Sequence, residues 1–147
     1  SYKMLHLPDG LSQDSLHMLM TCEPQIKEIG DLISRTDVLL FGIGTAMRMA
    51  DQRHIADDVR KQLVDNHAVG EALGQYCDIE GKLIYSTNNI GLSLPDVVKV
   101  PNVIAVAGGQ EKANAIIGVM RACQKGILII DEQAAEGMRQ LLQISAL

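Results

Sequence analysis

Aromatic residues are scarce in this chain: they make up 3% of 147 residues, with no tryptophan and a single phenylalanine. Aliphatic side chains and seven methionines must therefore fill the core. Long apolar runs are missing as well. None approaches the ~18 residues that a membrane-spanning helix needs, and the opening SYKMLHLPDG lacks the basic-then-apolar order of a secretion signal. There is no basic excess. A formal net charge of −5 argues against this segment gripping a nucleic-acid backbone itself. Cysteine is sparse: Cys22, Cys77 and Cys123 are odd in number, widely spaced and form no CxxC pair, which predicts buried, reduced thiols in a cytoplasmic protein. Metal-ligand spacing is absent too, since His54 and His67 stand thirteen positions apart with no HxxxH or HxH.

What remains is 47% hydrophobic and 21% charged, the composition of one globular domain with a real core. Three apolar runs stand out: DVLLFGIG (37–44), NVIAVAGG (102–109) and GILIIDE (126–132), each followed by a helical pattern. Four to six consecutive apolar residues, without alternation, fit strands of a parallel sheet buried on both faces. Strand, tight turn and helix in succession is the unit of a doubly wound α/β fold. Upstream, SQDSLHMLM and EPQIKEIGDLISR read as helices, with Pro24 at a first helical position. KMLHLP reads as a strand end. ALGQYCDIEGKLIYST (72–87) reads as a hairpin turning at Glu80-Gly81, and Gly91 to Pro101 as an extended return to the sheet.

Several positions could carry chemistry. Gly42 and Gly44 follow a strand and precede a helix, but the third glycine of a dinucleotide fingerprint is Met47. A tight turn is the plain reading, and an anion site on backbone amides the functional one. Gly108 and Gly109 precede Lys112, which falls in the first turn of a helix, where a cation opposes the macrodipole. Bare amides, helix dipole and lysine together would meet a phosphate; the bland reading is a solvated lysine offset by Glu111. Glu71 and His67 lie in the glycine-bearing segment DNHAVGEALG and could face a ligand, a carboxylate accepting hydrogen bonds from sugar hydroxyls. Taken alone, each reads first as a solvent-facing residue or a cap. Asp131 reads as an N-cap. Ser12, Ser15 and Ser34 occupy no nucleophile elbow, and the residues after the first glycine turn, Thr45, Ala46, Met47 and Arg48, include no general base for neutral pH. No catalytic residues, metal or cofactor are expected.

Three blocks, VLLFGIGTAMRMADQR, DNHAVGEALGQYCDIEGKLIYSTNNIGLSL and VPNVIAVAGGQEKANAIIGVMRACQKGILIIDEQAAEGMRQLL, resemble in order and spacing the sugar-binding domain of SorC-type bacterial transcription regulators. The LPDGLSQDSL stretch also has a counterpart there. The resemblance implies a Rossmann-like parallel sheet with helices on both faces, related to glucosamine-6-phosphate deaminase and ribose-5-phosphate isomerase, with an inserted hairpin. It implies that residues 1–147 are the C-terminal part of an effector domain. The helix-turn-helix that binds operator DNA, and a Gly-Gly-Thr-Thr phosphate loop, would lie outside them. The implied effector is a phosphorylated sugar, fructose 1,6-bisphosphate or a related glycolytic sugar phosphate, which changes homo-oligomerisation and operator affinity. The family's phosphate-binding lysine falls on Lys112 and its hydroxyl-binding carboxylate on Glu71. Gly42 and Gly44 lie at the same rim, and Arg53 falls at a pair of adjacent arginines in one relative. The alternatives are a sugar-phosphate isomerase or deaminase, and a dimerisation module without a ligand.

Overall fold

The computed structural model describes residues 2–8 and 10–143. Two helices come first, α1 (Gln13–Cys22) and α2 (Pro24–Ser34). Ser12 caps α1 by accepting a hydrogen bond from the Ser15 amide, and Pro24 opens α2 where its missing N–H costs nothing. KMLHLP forms no strand. Strand β1 (Val38–Gly42) leads through Ile43 into β2 (Gly44–Thr45), then α3 (Ala46–Gln52) and α4 (Asp57–Asp65). A short meander follows, β3 (Gly70–Ala72), β4 (Gln75–Cys77) and β5 (Leu83–Ser86). Next come a 3-10 helix (Leu94–Lys99), β6 (Asn102–Ala107), a 3-10 turn (Gln110–Lys112) and α5 (Ala113–Cys123). Strand β7 (Ile127–Ile130) and α6 (Glu132–Leu141) complete the order.

The three apolar runs do form one parallel sheet, in the order β1-β6-β7. The remaining strands form a second, antiparallel sheet, β2-β3-β4-β5. The expected hairpin is its β4-β5 part: Asp78 Oδ1 accepts from the Glu80 and Lys82 amides, and Gly81 sits at φ +83°. β3 joins β4 through Leu73 and Gly74, both at positive φ, the backbone of a two-residue primed turn. Gly42 to Gly44 is the crossing between the sheets: β1 pairs with β6, and two residues later β2 pairs with β3.

The main core lies between the parallel sheet and the helices behind it. Phe41, Val103, Ala105 and Ala107 pack on Ile116, Val119 and Cys123 of α5, Ala134 of α6, and Leu94 and Val97. Leu94 and Val97 belong to the 3-10 helix, so the stretch expected to be an extended return is helical instead. Ser93 caps it, Pro95 lies in its first turn, and the buried Gln75 side chain accepts from the Leu94 amide at 2.7 Å. The opposite face of the sheet is open among the described residues: Val38, Leu40, Val106, Ile127 and Ile129 are exposed. Cys77 and Cys123 are buried thiols, pushed by burial to about 12 and about 11. Cys22 departs from the expectation and is exposed at the end of α1.

Candidate functional site

Open α/β sheets place ligands beyond the carboxyl ends of their strands, and a cavity of about 440 Å³ lies there. Its lining comes from distant parts of the sequence: Gly42 and Gly44 from the sheet crossing, Arg48 and Arg53 from α3 and its C-terminal end, Glu71 from β3, and Lys112. The expected residues Gly42, Gly44, Arg53, Glu71 and Lys112 are thus brought together. Gly108, Gly109 and His67 are not among the lining; His67 is an exposed, positive-φ residue just beyond the end of α4.

Glu71 is 3% exposed. The β3 register holds it opposite Gly44 and Tyr76. Its Oε1 accepts from the Gly74 amide at 2.7 Å and from Arg53 Nη2 at 3.3 Å. Burial pushes the carboxyl above its ordinary value, and the Arg53 charge and the Gly74 amide only partly oppose that. Two buried polar atoms beside this pair have no hydrogen-bond partner among the described residues: Arg53 Nε and the Tyr76 hydroxyl. Tyr76 is fully buried and raised to about 12, first by burial and then by the Glu71 charge. Arg53 lines the cavity, so its orphaned Nε is a place for a ligand or water to bind, whereas Tyr76 lies behind the lining in the core.

Lys112 ends the 3-10 turn and stands at the N-cap of α5, one step before the expected helical turn. Among the described residues its ammonium makes no hydrogen bond or ion pair. The expectation of a bare amide is corrected at Gly109. Asp131 caps α6 through the Ala134 amide at 2.8 Å, and both its oxygens also accept from the Gly109 amide, at 3.1 and 3.0 Å. Those hydrogen bonds, with a smaller contribution from Lys112, hold the Asp131 carboxyl below its ordinary value. Gly108 has a matching reason: a Cβ there would lie 2.8 Å from Asp131 Oδ2. The two glycines therefore serve the joint between β6 and α6, with Gly109 at φ +97°.

A family model described as "Putative sugar-binding domain" matches residues 1–140. The chain belongs to the sugar-binding domain family of SorC-type transcription regulators. It is 38% identical over 135 residues to the central glycolytic genes regulator of Priestia megaterium, covering 92% of this chain and 39% of that protein. The same-named regulator of Bacillus subtilis is 35% identical, with 92% and 40% covered. The chain thus spans about two fifths of the length of those relatives. Among solved structures, a "putative SorC family transcriptional regulator" from Enterococcus faecalis superposes with a TM-score of 0.85 at 38% identity, covering 93% of this chain and 56% of that one. The full-length sorbitol operon regulator SorC of Klebsiella pneumoniae, at 21% identity and a TM-score of 0.70, shares the fold, covering 87% and 42%. Among the described residues no helix is long and apolar enough to cross a membrane, and no cluster of His, Cys, Asp and Glu could hold a metal.

Arg48 is the site residue that sequence reading passed over. In the sequence it stands out only by its three- and four-residue spacing from Thr45 and Gln52, which also line the cavity.

Proposed function

We propose that this domain senses a phosphorylated sugar, fructose 1,6-bisphosphate or a related glycolytic sugar phosphate, for a cytoplasmic transcription repressor. Lys112 meets a phosphate, Glu71 reads sugar hydroxyls, Arg53 holds Glu71 and flanks the ligand, and the Gly42–Gly44 crossing lets the sugar approach the backbone. The observation that carries the reading is the gathering of Lys112, Arg53 and the buried Glu71 around one cavity at the end of the sheet. The relatives' names as regulators support a sensing role. A helix-turn-helix outside residues 1–147 binds operator DNA. The sugar shifts homo-oligomerisation and operator affinity by as much as its affinities for the two conformations differ.

The enzyme reading is the weaker one. The titratable groups lining the cavity are Arg48, Arg53, Glu71 and Lys112, and Glu71 is already engaged by Arg53 and Gly74. A proton shuttle needs a second acid or base near neutral pH. The testing experiment is a thermal-shift panel of sugar mono- and bisphosphates on the intact protein, since a ligand that binds only the folded state raises apparent stability. A rise with sugar phosphates but not with free sugars is expected. No rise with any of them leaves a ligand-free dimerisation module; turnover of the added sugar phosphate would establish an enzyme.

A further inference from the structure

We infer that the segment from Thr87 to Leu92 is a strap that couples Glu71, in the cavity lining, to the helix pair α1–α2, with Asn89 as the positioning residue at the joint. The coupling is a property of the fold and holds whichever ligand the cavity takes. It begins at the turn between β3 and β4, where Leu73 stands at φ +55° and Gly74 at φ +78°. A primed turn favours asparagine or glycine at the first of these positions, so Leu73 is strained there. Two features of the cavity depend on this backbone. Leu73 joins the lining, and the Gly74 amide donates to Glu71 Oε1 at 2.7 Å.

The strap holds the strained turn closed. The Gly74 carbonyl accepts from the Thr87 amide at 2.8 Å and from Thr87 Oγ1 at 3.0 Å, and the Leu73 carbonyl accepts from Asn89 Nδ2 at 3.2 Å. Asn89 Nδ2 also reaches Thr87 Oγ1 at 3.3 Å, and a Cβ on Gly74 would run into both side chains. From this clasp the strap leads away from Glu71. Asn88 Nδ2 donates at 3.2 Å to the carbonyl of Leu11, the residue before the Ser12 cap of α1. Ile90, Gly91 and Leu92 then face Leu16 and Met20 of α1 and Ile33 of α2 across a cavity of about 500 Å³. Among the described residues of α1 and α2 only Leu16 is buried, so the pair is loosely held and sensitive to this neighbour. A strained turn closed by a side-chain clasp has two arrangements, and such an element is what lets two sites bias one another.

The test is amide hydrogen exchange on the intact protein for the parent, Glu71→Gln, Asn89→Ala and the double variant, with β6 and α5 as the reference for global opening. Glutamine keeps the shape of Glu71 and weakens its charge-assisted bond to the Gly74 amide. In Glu71→Gln, exchange should quicken at Gly74 and Thr87 and, by at least about twofold relative to that reference, through α1. With Asn89→Ala in place, Glu71→Gln should add nothing further in α1, the mark of coupling in a double-mutant cycle. Exchange in α1 that ignores Glu71→Gln, or responds to it equally with and without Asn89, overturns the strap. Thr87→Val, close to isosteric, cuts the same clasp if Asn89→Ala lowers the unfolding midpoint, and the same two outcomes then decide. No ligand is added, so failure here leaves the sugar-phosphate reading intact, and failure of the thermal-shift panel leaves the strap intact.

Discussion

Burial strips most of the hydration from the Glu71 carboxylate, and the Arg53 guanidinium and Gly74 amide restore only part of it. Its folded-state pKa is therefore raised. The sign follows: this group's contribution to stability is fully present below the ordinary carboxylate range and is lost as pH rises through the raised folded value. Denaturant unfolding measured across that window should show stability falling with pH less steeply in Glu71→Gln than in the parent. Identical slopes would mean that Glu71 titrates as it does in the unfolded chain. For binding, Glu71→Gln should weaken sugar phosphate more than inorganic phosphate, because only the sugar offers hydroxyls; equal losses by calorimetry would remove Glu71 from hydroxyl recognition. Lys112→Ala should cost about 1.5–3 kcal/mol of sugar-phosphate binding, the range for a hydrogen bond to a charged group, and an unchanged affinity would sink its assignment. The oddity of Lys112 was visible in one dimension, as a cation at the wrong end of a helix. The pairing of Glu71 with Arg53 was not, because eighteen positions separate them, and only the passage of β2 beside β3 closes that distance.

Helix α5 is held against the meander by close backbone approach at Ala115, Gly118 and Ala122. A Cβ on Gly118 would come within 2.5 Å of the Asp78 carbonyl oxygen, and one on Gly81 within 2.6 Å of the Ala122 amide. Glycine in a helix costs up to about 1 kcal/mol relative to alanine, so Gly118 is kept for the contact. Gly118→Ala should gain that propensity and still lose about 1–3 kcal/mol net through overpacking, seen as a lower denaturant midpoint; a raised midpoint would show that the helix can move away. The long elements were legible because their periodicity runs for ten residues or more, as in α1, α2 and α6. β3 has three residues and left too little pattern to read. The 3-10 helix at Leu94 was legible in principle from Ser93 at its cap and Pro95 in its first turn. Its burial is a tertiary matter, fixed by Gln75 and the core.

At the scale of the molecule, the parallel sheet is covered by helices on one face and presents Val38, Leu40, Val106, Ile127 and Ile129 on the other. Exposed aliphatic patches of this kind drive association. Residues 1–147 expressed alone should self-associate, and Leu40→Lys with Ile127→Lys should shift the sedimentation profile toward monomer; a parent chain already monomeric at high concentration would show that the bare face is tolerated. The unbroken apolar character of VLLF and ILII predicts burial on both faces, whereas in this structure Val38, Leu40, Ile127 and Ile129 are exposed on one of them. By itself the sequence determined the long helices, the parallel strands and the tight glycine turn after the first of them, because these follow from local periodicity and backbone freedom. Only the tertiary structure decided which charges are free. It gave the Gly109 amide to Asp131 and Arg53 to Glu71, and left Lys112 and Arg48 without a hydrogen bond or ion pair among the described residues, because pairing depends on distances between residues that the chain order keeps far apart.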